Sequence, residues 1–553
     1  MLRYIAITIS FILINATIAV QFKGYVTKTK NEYNVVVVGK SETVKLPNDL
    51  KDVLAYCNWE DSYNETGWSV LEIRTFDNTT NVDQAYTAGL LEGQATRDMI
   101  VLQWANTMAD LCNGENAKFC KYLREFLTIQ LEWMYDQVNE HPNDEYWHQV
   151  SLALIQLNGL IDGYYNVHRG PRMMVDNVLD LLLFQIQTSI DDLGKLLGMP
   201  NSEKHDSCSA LIKLLPNNED LYVSHADWSN YKTMLKVLKR YIMPLKRTPT
   251  GVPVPGRETV FSSYPGTLHS VDDFYMTQPA GLTVIETTIE NYNDDLWRNL
   301  IPLSVPEWIR VIVANRLSAT GEDWVNTFFN NNDGTYSNQW MIVNYNKFKP
   351  HSPPNPGALI VAEQMITDFE WQDMTDTLIR DTYWASYNNV FFPRLRTLSK
   401  EENKGMEFPQ LFSWNASSRA QIFLRDQGNV TDMHSMIRMM RYNDFKNDPL
   451  SQCLNCTPYK YSSELTIAAR CDLNPSDGKY PYDVLGHRVH GATDAKITNY
   501  TMFQNLSLIA IAGPTWQGQD PFNWSTSDFA ATTPHHGHPD SFKFYPFTPT
   551  WIL

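Results

Sequence analysis

Apolar residues recur at three- and four-residue spacing along four stretches of the first part of the chain, predicting helices over 84–108, 118–138, 145–164 and 173–197. In the last of these, Val178, Leu181, Leu182, Gln185 and Ile186 fall along one side. Two short strands, 33–38 and 69–74, are predicted before them. The polar run from Met199 to Ser207, with Pro200, Asn201, Glu203, Lys204 and Asp206, reads as an exposed linker, the easiest kind of segment to cut. At Cys208 the period changes to two: Cys208, Ala210, Ile212 and Leu214 share one strand face, and Ser209, Leu211 and Lys213 the other. A turn over 216–220 and a second strand, 221–224, make a hairpin that folds His225 back beside Cys208. Further strands are predicted over 258–263, 271–276, 282–288, 339–345 and 358–364, a loop over 246–256, and helices over 307–317, 374–387 and 432–442. Helices, then strands, then mixed elements point to an α+β fold of packed sheets with helices outside. There is no internal repeat and no low-complexity tract.

Residues 1–19 carry Arg3, the apolar run ISFILI and small residues at Ala16 and Ala19, the pattern of a secretory signal peptide with a core too short for a membrane span. No later apolar run reaches spanning length, so the mature chain is expected to be soluble, without stable membrane insertion. Sequons at Asn64, Asn78, Asn415, Asn429, Asn455, Asn499, Asn505 and Asn523 fit a lumenal glycoprotein. The net charge of −17 comes from 62 acidic against 45 basic residues. It argues against nucleic acid as a partner and for repulsion from anionic lipid at neutral pH. Seven cysteines leave at least one unpaired. Cys112 and Cys120 are near enough to staple a short loop, and Cys453 with Cys456 either close a tight one or form a redox motif.

Cys208 and His225 are a candidate nucleophile pair, against the alternative of a buried structural cysteine and an unrelated histidine. The run CSALIKLLPNNEDLYVSHADWSNYKTMLKVLKRY, with YTAGLLEGQATRD, FSSYPGTLHSVDDFY, ETT at 286–288, YSNQWMIV, YWASYN, SRAQIF, MRYNDFKNDPLS and ARCDLNP in order, resembles the phospholipase B-like family of lysosomal and secreted N-terminal-nucleophile hydrolases. The resemblance implies a four-layer αββα sandwich and self-cleavage between Ser207 and Cys208. It also implies disulfides Cys112–Cys120 and Cys453–Cys456. The expected products are a mainly helical fragment, 20–207, and a sheet-bearing fragment, 208–553, which stay together as one globular unit. It assigns site roles to six residues: Cys208 as nucleophile, His225 as its hydrogen-bonding partner, Trp228 as wall or indole donor, Thr288 as a hydroxyl, Asn388 as oxyanion donor and Arg419 as a cation. Read alone, these last four are better taken as a core tryptophan, an ordinary strand threonine, an asparagine capping a helix end or turn, and a surface ion pair.

No Gly-x-Ser-x-Gly elbow of a serine lipase is present. His535, His536 and His538 in TPHHGHPD lack companion ligands at a recognised metal spacing and read as a solvated loop, so no metal or cofactor is expected. The expected partner is a phospholipid losing its acyl chains or an N-acyl amide, and the expected place is the lysosome lumen or the extracellular space. The alternative is a lumenal glycoprotein that keeps the fold and uses its cleft for binding.

Overall fold

Most strands of the computed structural model fall into two sheets. The described residues are 20–30, 32–38, 52–200 and 207–553; the expected signal peptide and linker residues 201–206 lie outside them. The larger sheet has eleven strands in the order Phe369–Asp373, Leu359–Gln364, Asn338–Asn344, Leu282–Thr288, Phe274–Gln278, Glu258–Ser263, Val237–Ile242, Ser69–Thr75, Val53–Asp61, Val20–Thr29 and Glu32–Val38. Neighbours are antiparallel except Ser69–Thr75 and Val237–Ile242, which run parallel and join the segments on either side of Cys208 into one sheet. The smaller sheet runs Tyr383–Ser386, Ser207–Leu214, Leu221–Asn230, Asp494–Thr498 and Ile509–Ala512, with His490–Ala492 also paired to Leu221–Asn230.

Strict alternation assigns each sheet two apolar faces. Trp340 and Ile342 pack among the helices Asn81–Ala95, Glu145–Tyr165 and Glu307–Leu317, whereas Met341 and Val343 point the other way and meet Ala210, Ile212 and Val223 of the small sheet. On the small sheet's remaining face, Leu211 and Ala226 pack with Ile422, Phe423, Met436 and Met440 from the helices Ser418–Asp426 and Met433–Met440. The alternation read at Cys208 therefore holds.

Asn81–Ala95 and Glu145–Tyr165 cross at backbone contact. A Cβ on Gly89 would lie 2.0 Å from the Gln156 carbonyl oxygen, and one on Gly159 would lie 2.1 Å from that of Tyr86. Gly159→Ala is expected to cost about 1–3 kcal/mol or more, because backbone has to move apart to admit the methyl. Gly428→Ala, with nothing within 4 Å, is the thermal-unfolding control and should leave the midpoint in place.

Several expected elements differ. The helix over 84–108 is two, Asn81–Ala95 and Arg97–Thr107, broken at Thr96, whose hydroxyl donates to the Glu92 carbonyl at 2.8 Å. The long helix over 173–197 is instead two short pieces, Leu182–Gln185 and Ile190–Leu197, joined by turns. Val175 and Val178 are buried from irregular chain whose Asp176 and Asn177 are exposed, and Leu181 to Phe184 are buried at four successive positions, so the apolar spacing read as one helical face belongs to two different local structures. The helix over 374–387 ends at Asp381; Thr382 adopts φ 64° and turns the chain into the strand Tyr383–Ser386. Strands Val53–Asp61 and Val237–Ile242 were not expected. The histidine loop is docked rather than solvated: the His535 ring stacks on Trp524 at 4.2 Å, and the Asn106 side chain bonds the His536 backbone on both sides. Disulfides Cys112–Cys120 and Cys453–Cys456 are present, leaving Cys57, Cys208 and Cys471 free and buried. Among the described residues no helix is long and apolar enough to cross a membrane.

Candidate functional site

Cys208 is the second residue of Ser207–Leu214, paired antiparallel with Leu221–Asn230 in the register Ser207↔Trp228, Cys208↔Asp227 and Ala210↔His225. Residues directly across an antiparallel pair share a face, so Cys208, Asp227 and His225 all point toward the large sheet. There Glu286, from Leu282–Thr288, joins them: a ligating atom of each of Cys208, His225 and Glu286 lies within 4.8 Å of the others. The hairpin thus brings the expected pair together and adds a carboxylate that its sequence spacing did not suggest. Burial, then Glu286, Asp227 and Asp273, push the Cys208 thiol well above its ordinary range, with Lys496 pulling the other way. His225 is driven well below its ordinary range by burial and then by Lys496, so its ring is neutral.

The backbone of Cys208 is held from both sides by side chains. Asn388 Oδ1 accepts from the Cys208 amide at 2.9 Å, while its Nδ2 donates to the Thr288 carbonyl at 2.7 Å. Asn388 thus fixes the Cys208 nitrogen through its oxygen and one Nδ2–H, and its NH2 group carries a second N–H, the donor that the expected oxyanion role calls for. Arg419, from Ser418–Asp426, donates to the Cys208 carbonyl at 2.6 Å and to Ser209 Oγ at 3.4 Å. Burial pulls its guanidinium down to about 10, still charged at any physiological pH. Trp228 lies on the opposite face from the thiol and stacks its ring 4.5 Å from the Arg419 guanidinium. It borders neither cavity described below, so the wall or donor role expected for it becomes support for Arg419.

Two cavities meet at the Ser207–Cys208 peptide. A pocket of about 60 Å³ is lined by Cys208, Asp227, Thr288, Tyr336 and Thr188. It has room for a few waters, far below the roughly 300–1,000 Å³ of ordinary ligand sites. A cleft of about 490 Å³ is lined by Ser207, Asn388 and Arg419 and walled by Tyr292, Phe412 and Tyr482. Phe412 packs edge-on against both tyrosines, at 5.6 and 5.1 Å.

The family model described as Phospholipase B matches residues 55–549. The chain belongs to the phospholipase B-like family. "Putative phospholipase B-like 2" of Homo sapiens is 42% identical over 510 residues, covering 90% of this chain and 86% of the relative. "Putative phospholipase B-like 1" of Caenorhabditis elegans is 39% identical over 511 residues, covering 90% and 86%. "Phospholipase B-like protein B" of Dictyostelium discoideum is 33% identical over 516 residues, covering 91% and 86%.

In this phospholipase B-like chain, sequence reasoning missed the charges beneath the thiol. Asp227 is reached by Lys236 Nζ at 3.0 Å, Thr493 Oγ1 at 2.6 Å and Tyr264 OH at 3.3 Å. Tyr336 OH lies 2.8 Å from Glu286 Oε1 and 3.1 Å from Asp273 Oδ2. A signal for Asp227 was available: the two-residue period that put His225 beside Cys208 puts Asp227 directly opposite it. Glu286 stands in the matched ETT block, two residues from Thr288 on the same strand face.

Proposed function

We propose that this chain is a lumenal N-terminal-nucleophile hydrolase, built as an αββα sandwich, that cuts itself before Cys208 and then removes acyl chains from phospholipids. The observation that carries the reading is the treatment of one residue: the Cys208 nitrogen is bound by Asn388 and its carbonyl by Arg419. A strand residue serving only the core has no need of buried side chains on both its backbone groups.

The thiol attacks the Ser207 carbonyl, its proton passes to the departing Cys208 nitrogen, and a Ser207 thioester and a free α-amine result. Water hydrolyses the thioester, releasing the Ser207 carboxylate and restoring the thiol. The α-amine, with an ordinary pKa of about 7.7–8.0, then supplies the base that a thiol raised by burial lacks. In turnover the amine takes the thiol proton, sulfur attacks the acyl carbonyl, the leaving alcohol is protonated by the ammonium, and water completes the cycle. Loss of Ser207 and the residues before it takes away the wall between the small pocket and the aromatic cleft, which is the right size for an acyl chain.

The test is N-terminal sequencing of the processed protein. A fragment beginning at Cys208 is expected. A cut that leaves Cys208 internal would overturn the reading, because the thiol would have no α-amine. The two fragments should co-elute on a native sizing column and separate on a denaturing gel without reductant, since each disulfide lies within one fragment and the shared sheet spans both. Processed protein given a diacyl phospholipid and an N-acyl amide in parallel is expected to turn over the lipid; turnover of the amide alone would make it an amidase.

Asn388 gives a finer test, because its backbone has φ 67°. Asn388→Gly keeps that conformation and deletes the amide, whereas Asn388→Ala adds left-handed strain of about 1–2 kcal/mol. Both are expected to slow self-cleavage and turnover about a hundredfold through a misplaced nitrogen, and only the alanine variant should also melt earlier. Asn388→Gly cutting at the normal rate would remove the amide from the mechanism.

A further inference from the structure

The geometry points to a divalent metal site formed by Cys208, His225 and Glu286, a zinc-type site whose occupancy holds the chain uncut. The inference rests on the self-cleavage reading for its consequence, but not for the site itself.

Three ligands of the kinds that bind zinc converge with their ligating atoms within 4.8 Å of one another, all buried. Zinc holds nitrogen and oxygen at about 2.0–2.2 Å and thiolate at about 2.3 Å in a tetrahedron. Its ligand atoms therefore stand roughly 3.3–3.8 Å apart, reached here by side-chain shifts on the order of 1 Å. A thiolate, a carboxylate and a neutral imidazole together cancel a charge of +2. The fourth position is left open, as in three-ligand zinc sites.

Two further observations favour a cation. Both His225 ring nitrogens are enclosed, and the group acting on the ring as a hydrogen-bond partner is the Glu286 backbone, short of full hydrogen-bond geometry. Such a histidine costs free energy unless something binds it. A further carboxylate stands beside the three ligands, because Asp227 lies directly across the strand pair from Cys208 on the same face. Lys496, the nearby cation, is spent on Asp494 and Asp272 at 2.8 and 3.2 Å. The contrast is with Glu464, Cys471 and His490, which also converge within 4.8 Å. There the Arg488 guanidinium already reaches Glu464 at 3.1 Å and Cys471 Sγ at 3.7 Å, a fixed positive charge where an ion would sit.

A metal on Cys208 Sγ takes the electron pair needed to attack Ser207, and removing it returns a thiol free to react. This latches the nucleophile without altering the fold.

The probe is cobalt(II), whose bond to a thiolate gives a charge-transfer band in the near ultraviolet. Purified chain freed of metal by chelation is expected to show that band at one ion per molecule. Zinc should displace it, Cys208→Ser should abolish it, and Cys471→Ser should keep it. In parallel, saturating zinc should slow the appearance of the Cys208 terminus, read by mass spectrometry, about tenfold or more, and chelator should restore it. No band from folded chain, or a band lost in Cys471→Ser but kept in Cys208→Ser, overturns the site. A band from Cys208 with unchanged cutting overturns the latch. A chain that never cuts in chelator counts against the self-cleavage reading alone.

Discussion

Cys208→Ala is expected to yield a single uncut chain with no turnover, while Cys471→Ala, equally buried, is cut normally. The substitution removes the atom proposed to attack and leaves its surroundings in place, because Asn388 and Arg419 hold the backbone of residue 208 and not its side chain. Removing one buried sulfur costs about 1 kcal/mol, so the variant should fold, and circular dichroism should match the parent. In the proposed mechanism the effect on activity is complete because two events depend on the same sulfur: the cut that makes the α-amine, and the acyl transfer that uses it. A Cys208→Ala chain that still ends in a fragment starting at residue 208 would mean that another protease makes the cut. A chain processed elsewhere would be compatible with a binding protein.

The Cys208 hairpin was legible because its information is local. Period-two alternation from Cys208 to Leu214, a turn, and a second apolar run fix a register in which His225 and Cys208 share a face, and that is the register found. What was illegible is what other elements bring. Glu286 comes from the opposing sheet, and Arg419 from a helix more than two hundred residues away, where SRAQIF read alone looks like any capped helix start. Trp228 was expected in the site wall, yet the pleat that points Asp227 at the thiol necessarily points its neighbour away. Helices were read correctly where one face is wet along its whole length, as in Ala117–Glu140, and misread over 173–197, where irregular chain with exposed Asp176 and Asn177 and the consecutively buried Leu181 to Phe184 happen to keep a helical spacing. The close crossing of Asn81–Ala95 with Glu145–Tyr165 was not foreseen; its trace in the sequence is the Gly-x-x-x-Gly spacing of Gly89 with Gly93 and Gly159 with Gly163, which does not by itself name the partner helix.

Lys236→Met is expected to destabilise the fold by about 3–5 kcal/mol, the usual cost of stripping one partner from a buried charge group. Lys236 Nζ reaches Asp494 at 2.7 Å, Asp227 at 3.0 Å and Asp272 at 3.3 Å, and Lys496 Nζ reaches Asp494 at 2.8 Å and Asp272 at 3.2 Å. All five groups are buried, and the cluster reaches Cys208 through Asp227, its partner across the strand pair. Without Lys236, one lysine faces three carboxylates, and Asp227, opposite Cys208, loses its cation.

The pH dependence has a definite sign. Burial lifts Asp494 to about 6, against the downward pull of Lys236 and Lys496. Its pKa in the unfolded chain is about 3.9, so the folded state binds more proton between these values. The stability this carboxyl contributes is full below about pH 4 and is lost as pH rises through about 6. Removing Lys236 takes away a downward pull, so Asp494 stays protonated to higher pH, and protonation relieves the excess negative charge that the variant leaves behind. The thermal midpoint deficit of Lys236→Met should therefore be large at pH 7 and smaller at pH 5. A deficit that is the same at both, or that grows on acidification, would mean that Lys236 acts through packing and not as the cation of this cluster.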